Sequence, residues 1–165
     1  MDIINIISII CILVCIILLC KNDRKAFLKV VFCVYIALVA SVTLVVFRGS
    51  PYAQFELDPI ASYRRWLTAP PDLARIEALS IILNIAMFVP LGFLVPALWR
   101  GLAKIYIILP LSILATLVIE ATQLITNRGV FSIEDIIHNT AGGLFGYAIF
   151  KIFYRRVSKI KTHPS

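Results

Sequence analysis

The sequence predicts an all-α integral membrane protein, a single bundle of five transmembrane helices with an interfacial extracytoplasmic loop. Three observations carry this expectation. Of 165 residues, 61% are hydrophobic and only 15% charged, with a mean hydropathy of +0.95. A water-soluble domain of that length needs far more polar surface. Five stretches also approach the roughly 20 apolar residues that cross a bilayer: residues 3–19, 27–47, 79–98, 105–125 and 133–153. Together they leave no length for a separate soluble domain. Finally, the basic residues divide unevenly between loops that must alternate sides.

One set of loops holds Lys21, Arg24, Lys25, Lys29, Arg100, Lys104 and the basic residues from Lys151 to Lys161. The other holds Arg48, Arg64, Arg65, Arg75 and Arg128, which is five of the 16 Lys and Arg against eleven. The excess of positive charge marks the cytoplasmic side, so the N-terminus is expected outside and the C-terminus in the cytoplasm. The basic tail then reads as an orientation signal that contacts anionic lipid. With that distribution, the net charge of +7 does not imply a nucleic-acid partner.

Residues 1–47 are expected to form a two-helix membrane hairpin that serves as scaffold. The first span lacks a positive leader and a small-residue cleavage site, so it does not read as a removable signal. Cys11, Cys15, Cys20 and Cys33 lie in or beside this hairpin without metal-binding spacing, and read as small apolar packers. No metal or cofactor is expected.

Residues 48–165 form the second region: an interfacial loop, three spans and the basic tail. In the loop, "PYAQFELDPIASYRRWL" interleaves aromatic, aliphatic and cationic side chains, which suits a segment lying in the headgroup layer. "APPD" at 69–72 breaks the chain before the third span. That span carries Asn84, Pro90, Gly92 and Pro96, and a kink is expected at the prolines. No internal repeat is present to indicate an inverted-repeat transporter.

The fourth span bears a polar series, Ser112, Thr116, Glu120, Gln123 and Asn127, whose spacing places it on one helix face. A carboxylate at membrane depth costs a few kcal/mol at least unless it is paired or protonated, so this face must meet protein or water. The fifth span opens with "SIED". Ser132 followed by Asp135 resembles a capping box, which is a purely structural reason for Asp135. Asn139, one turn further in, has no capping role, and Gly142 and Gly146 continue the same face as a smooth packing strip. His138, beside that strip, reads better as an interface histidine than as a catalytic base. Counted along their helices at ~1.5 Å per residue, Asn84, Glu120 and Asn139 all lie about 8–10 Å from the outer membrane face. Arg128 and Asp135 sit just above them. The expected site is a small polar cavity opening outward, with Asn84, Glu120, Gln123, Arg128, Asp135 and Asn139 as ligand-binding residues. Glu120 and Asp135 are the candidates for any catalysis.

The same residues carry a family resemblance. "NIAMFVPLGFLVP" and then "IEATQLITNRGVFSIEDIIHNTAGGLFGY" resemble the VanZ family of bacterial membrane proteins, and "LDPIASY" resembles the segment preceding the third span in that family. Ser132 stands where the family usually has an acidic residue, and Glu134 replaces an Asp. The resemblance implies a cell-membrane protein connected with sensitivity to lipoglycopeptides of the teicoplanin type, and it implies no particular reaction. Three functions follow as alternatives. A non-enzymatic protein would bind an amphiphile, either a membrane lipid, a lipid-linked envelope molecule or the drug's acyl tail. An intramembrane enzyme would use Glu120 and Asp135 as acid and base on a lipid-linked envelope precursor. A transporter built from five spans without a repeat would need to be an oligomer.

Overall fold

In the computed structural model, the described residues are Val14, 23–43, 54–127 and 129–162. The first expected span, with Cys11, Cys15 and Cys20, lies outside them apart from Val14. Helix α1 (Arg24–Ser41) starts where Asp23 accepts hydrogen bonds from the Lys25 and Ala26 N–H groups, both at 3.0 Å. Cys33 on this helix is a free, exposed thiol. A short strand β1 (Gln54–Glu56) and a two-turn helix α2 (Ala61–Thr68) follow. Helix α3 (Pro71–Leu98) then leads through a 3-10 turn (Arg100–Leu102) into α4 (Ile105–Ile125). Strand β2 (Val130–Ser132) feeds directly into α5 (Ile133–Thr162).

Helix α5 is the centre of the bundle, packing along α3 on one flank and α4 on the other, while α1 rests on α3. Glycines make this possible. A Cβ on Gly142 would run into the backbone carbonyl of Ile85, and one on Gly146 into that of Val89. Gly92 of α3 meets the backbone at Gly143, and Gly143 in turn faces the Ser112 hydroxyl of α4. Without side chains at these positions, three helix backbones come close enough for dispersion contacts to accumulate. Towards one end the glycine strip gives way to an apolar core of Phe88, Leu91, Val95, Ile108, Tyr147 and Phe150. Tyr147 donates its hydroxyl hydrogen bond to the Ala103 carbonyl there, at 3.1 Å.

Helices α3 and α4 are long and apolar enough to cross a membrane. At ~1.5 Å per residue they are about 42 and 32 Å long, against a hydrocarbon layer of about 30 Å. Among the described residues these are two of the four expected spans that can be compared, and the residues show why α1 and α5 differ. Helix α1 carries Arg24, Lys25 and Lys29 within its 18 residues, and α5 opens on Glu134, Asp135, His138 and Asn139. Helix α4 has its polarity reversed relative to a helix in water. Its buried residues are Ile108, Ser112, Thr116, Glu120 and Gln123, whereas Leu109, Leu114, Leu117, Val118 and Ile125 are exposed. Apolar exposure around a polar interior is the arrangement a hydrocarbon solvent favours. Exposed aromatic side chains mark both ends of the bundle, Tyr63 and Trp66 on α2 and Trp99, Tyr106 and Tyr154 at the other. Amphipathic rings collect at the two interfaces of a bilayer.

Helix α3 begins at Pro71, eight residues before the expected span. Proline suits the first helical position because its missing N–H would be unbonded there anyway. The loop that the sequence placed before this span is therefore largely structured. Strand β1 pairs in parallel with β2, Gln54 with Val130 and Glu56 with Ser132, and the Phe55 and Phe131 rings meet at 5.7 Å.

Enlarging the strip glycines tests this packing. Gly142→Ala or Gly146→Ala should each destabilise the protein by about 3 kcal/mol, the upper end for overpacking, since the opposing atoms are backbone. Gly101→Ala, which meets nothing within 4 Å, should be neutral. Thermal unfolding in a mild detergent reads the difference, and equal midpoints for all three would contradict the close approach.

Candidate functional site

At the end of the bundle that carries α2, the last turn of α1 and the inner faces of α3, α4 and α5 enclose a cavity of about 170 Å³. Asn84, Glu120, Gln123, Asp135 and Asn139 all line it, together with Thr43 and Ser80. Five of the six residues expected at the site are thus brought to one place by three helices, α3, α4 and α5. The sixth, Arg128, lies outside the described residues.

Glu120 is the most buried acid of the cavity, at 1% exposure, and its partner is backbone. Its Oε2 accepts the Ser132 N–H at 2.8 Å. Ser132 is the residue just before α5, and its own hydroxyl accepts the Asp135 N–H at 3.4 Å. In an ordinary capping box the side chain three residues into the helix reaches back to the cap's N–H. Here Glu120 of α4 fills that role from a neighbouring helix. Asp135 is released from capping and instead accepts a hydrogen bond from the Asn84 side-chain amide of α3. The sequence motif was a capping box in form, but the acid that completes it is the one on α4.

Deeper in, Asn139 donates from Nδ2 to the Thr116 hydroxyl oxygen at 2.8 Å. Its Oδ1 is buried without a hydrogen-bond partner, although the residue is 1% exposed. An unmatched amide oxygen at such a place costs about 1–3 kcal/mol, so its retention is informative. The cavity therefore offers carboxylate and amide acceptors to whatever enters it. Asn127, the last residue of the expected polar face, is not part of it. Helix α4 has ended by Ile125, and Asn127 is exposed in the left-handed conformation, φ 52°, that commonly follows a helix terminus.

A second polar cluster, which the sequence did not distinguish from the first, holds α2 on α5. Glu134 is 1% exposed, and its Oε2 accepts the Ser62 N–H at 2.8 Å. Ile60 has no side chain able to cap α2, so a carboxylate from α5 satisfies the helix start instead. One turn on, His138 Nε2 and the Tyr63 hydroxyl are 2.9 Å apart. His138 is thus an interface residue, as expected, although its Nδ1 has no partner. On the outer side of α2, Arg65 bonds Glu56 at 2.9 Å, Glu77 at 2.8 Å and the Ser62 hydroxyl at 3.0 Å, tying β1, α2 and α3 together. Hydrogen bonding to Glu56 pushes the Arg65 guanidinium still further up, so this hub stays charged throughout. Residues 134 and 138 therefore face α2 while 135 and 139 face the cavity, a division set by the helical period. Among the described residues no group of three or more His, Cys, Asp or Glu is placed to hold a metal ion.

The cap shared between helices makes a graded prediction. Glu120→Gln keeps an acceptor for the Ser132 N–H and should unfold close to wild type. Glu120→Ala orphans a buried N–H and should lose about 1–3 kcal/mol more than Gln. Amide hydrogen exchange at Ser132 should accelerate in the alanine variant alone. Equal protection in both variants would remove Glu120 from its structural role.

Comparison with curated proteins and with solved structures finds no match. The sequence as a whole does match one family model, that of VanZ/LLP1, over residues 6–154. That range takes in the polar face of α4, both acidic clusters and the glycine strip of α5, and the chain belongs to the VanZ/LLP1 family.

Proposed function

We propose that this VanZ/LLP1 protein lowers sensitivity to lipoglycopeptide antibiotics of the teicoplanin type by binding an amphiphile at the polar cavity, in the outer leaflet of the bacterial cell membrane. The observation that carries the reading is the cavity itself. Two carboxylates and an amide oxygen without a partner converge from α4 and α5 inside a bundle whose exposed surface is apolar. Such a place suits a molecule with a polar end and an apolar end. In this reading Arg128, three residues beyond the end of α4 in the chain, is the sixth ligand-binding residue. The basic residues favour the topology with the N-terminus outside and the C-terminus in the cytoplasm, and with five spans in all. Arg64 and Arg65 on the cavity side are neutralised by Asp58, Glu56 and Glu77. Arg100, Lys104 and Lys151 at the other end rest instead on aromatic rings.

A second reading has its own support, because Glu120 and Asp135 line the same cavity. Two carboxylates in one cavity can divide acid and base work between them. An intramembrane enzyme modifying a lipid-linked envelope precursor would use them so.

The two readings separate in a sensitive Gram-positive host expressing wild type or Glu120→Gln, Asp135→Asn and Arg128→Ala. On the binding reading, protection is large for a glycopeptide with an acyl tail and small for its tail-less counterpart, and each substitution abolishes it. An acyl anchor draws about 0.8 kcal/mol from each buried methylene, so it alone senses changes in the leaflet. Equal protection against both drugs would favour altered target chemistry and hence the enzyme. The topology is checked by reporter fusions after Lys161 and within residues 51–72, which should report opposite sides of the membrane. The same side for both would remove the outer-leaflet placement.

A further inference from the structure

We infer that the amphiphile carries an ammonium-type headgroup in the polar cavity and lays its hydrocarbon chain in an apolar groove adjoining it. The inference rests on the amphiphile reading above and goes further by assigning both ends of the ligand.

The groove lies between α1, α3 and α4 and has a volume of about 480 Å³. Its walls include Tyr35, Val39, Leu111, Ala115 and Val118. Along α4 it runs from Leu111 to Thr122, about 16 Å at ~1.5 Å per residue. Thr43 and Ile119 line both the groove and the polar cavity, so the two spaces are continuous neighbours rather than separate pockets. A chain seated in the groove brings its polar end to Glu120.

The cavity's chemistry selects that end. Glu120, Asp135 and the unpartnered Oδ1 of Asn139 are all acceptors, and Asn139 is 1% exposed. Of the amide donors there, Nδ2 of Asn84 is taken by Asp135 and Nδ2 of Asn139 by Thr116, so the neutral donors facing the cavity reduce to the Gln123 amide and the Ser80 and Thr43 hydroxyls. The described residues lining the cavity include no Lys, Arg or His. A carboxylate withdrawn from water is unfavourable unless a charge or donors offset it. An alkylammonium supplies a positive charge and three donors with no acceptor of its own. A phosphate or carboxylate headgroup would bring further negative charge and further acceptors to a place already rich in both.

The test uses the full chain in uncharged maltoside micelles at pH 7, doped at equal mole fraction with hexadecylamine, hexadecyl phosphate or hexadecanol. Binding is followed by the shift in thermal unfolding and by native mass spectrometry. Hexadecylamine should bind at least tenfold tighter than hexadecyl phosphate, with hexadecanol between them. Glu120→Gln, which keeps the acceptor for Ser132, should reduce hexadecylamine affinity at least tenfold. Ala115→Trp should weaken all three, and Val39→Phe, from the other wall of the groove, gives the same readout if the first variant does not fold. Butylamine, with the headgroup and no chain to fill the groove, should not bind at matched concentration. Equal or tighter binding of hexadecyl phosphate would overturn the headgroup assignment while leaving an amphiphile at the site, and is the result expected if Arg128 holds an anion there. Hexadecylamine binding that survives both Glu120→Gln and the groove-filling changes would overturn the location. Saturable binding of none of the three would overturn this inference together with the reading beneath it.

Discussion

A buried carboxylate accepting one backbone N–H holds this site together. Glu120 lies on α4, and the group it binds belongs to Ser132, at the junction of β2 and α5. Through that contact α4 fixes where α5 begins. The position of α5 in turn aligns Gly142 and Gly146 with the carbonyls of Ile85 and Val89 on α3. It also leaves Asp135 without a capping duty, free to meet Asn84. A buried N–H that loses its acceptor at membrane depth has no water to replace it. Remove the acceptor and the start of α5, the cavity wall and the strand pairing all lose a shared constraint.

The segment before α3 depends on the same region from the other side. Helix α2 is too short to persist alone in water. It is held because Glu134 caps its first turn and Tyr63 meets His138, while Arg65 anchors its outer face to Glu56 and Glu77. Adjacent acids on α5 thus do different work: Glu134 fastens the cover and Asp135 faces the cavity. Phe55, Leu57, Ile60 and Leu67 remain exposed on that cover, next to Trp66. Apolar and aromatic exposure at this level is what the headgroup layer accommodates, which links the fold of the loop to the placement of the site.

The sequence made the polar face of α4 legible because one helical period relates Ser112, Thr116, Glu120 and Gln123, and because nothing else explains a Glu among Leu and Ile. The convergence of Asn84, Asp135 and Asn139 on it followed from counting residues along helices. Other features depend on contacts between residues far apart in the chain, and no local pattern encodes them. The pairing of residues 54–56 with 130–132 is one, and the Glu134 cap on Ser62 is another. Gly143, which faces Ser112, lies off the face that the Gly142–Gly146 spacing marks. Asn127 continued the arithmetic of the face past the point where the helix stops. Apolar content alone marks α1 and α5 as spans as readily as α3 and α4, but charges at the start of α1 and acids at the start of α5 set those two helices apart. The early start of α3 at Pro71 is legible in the proline pair, because proline favours the first turn of a helix as well as breaking the chain before it.

The central claim is that the cavity around Glu120 holds an amphiphile from the cell envelope. Its most direct test is unbiased lipid mass spectrometry on the protein purified from cells, wild type against Glu120→Gln. The account predicts a defined envelope amphiphile retained by the wild type and depleted in the variant, with both proteins equally folded. The same lipid complement from both would contradict it.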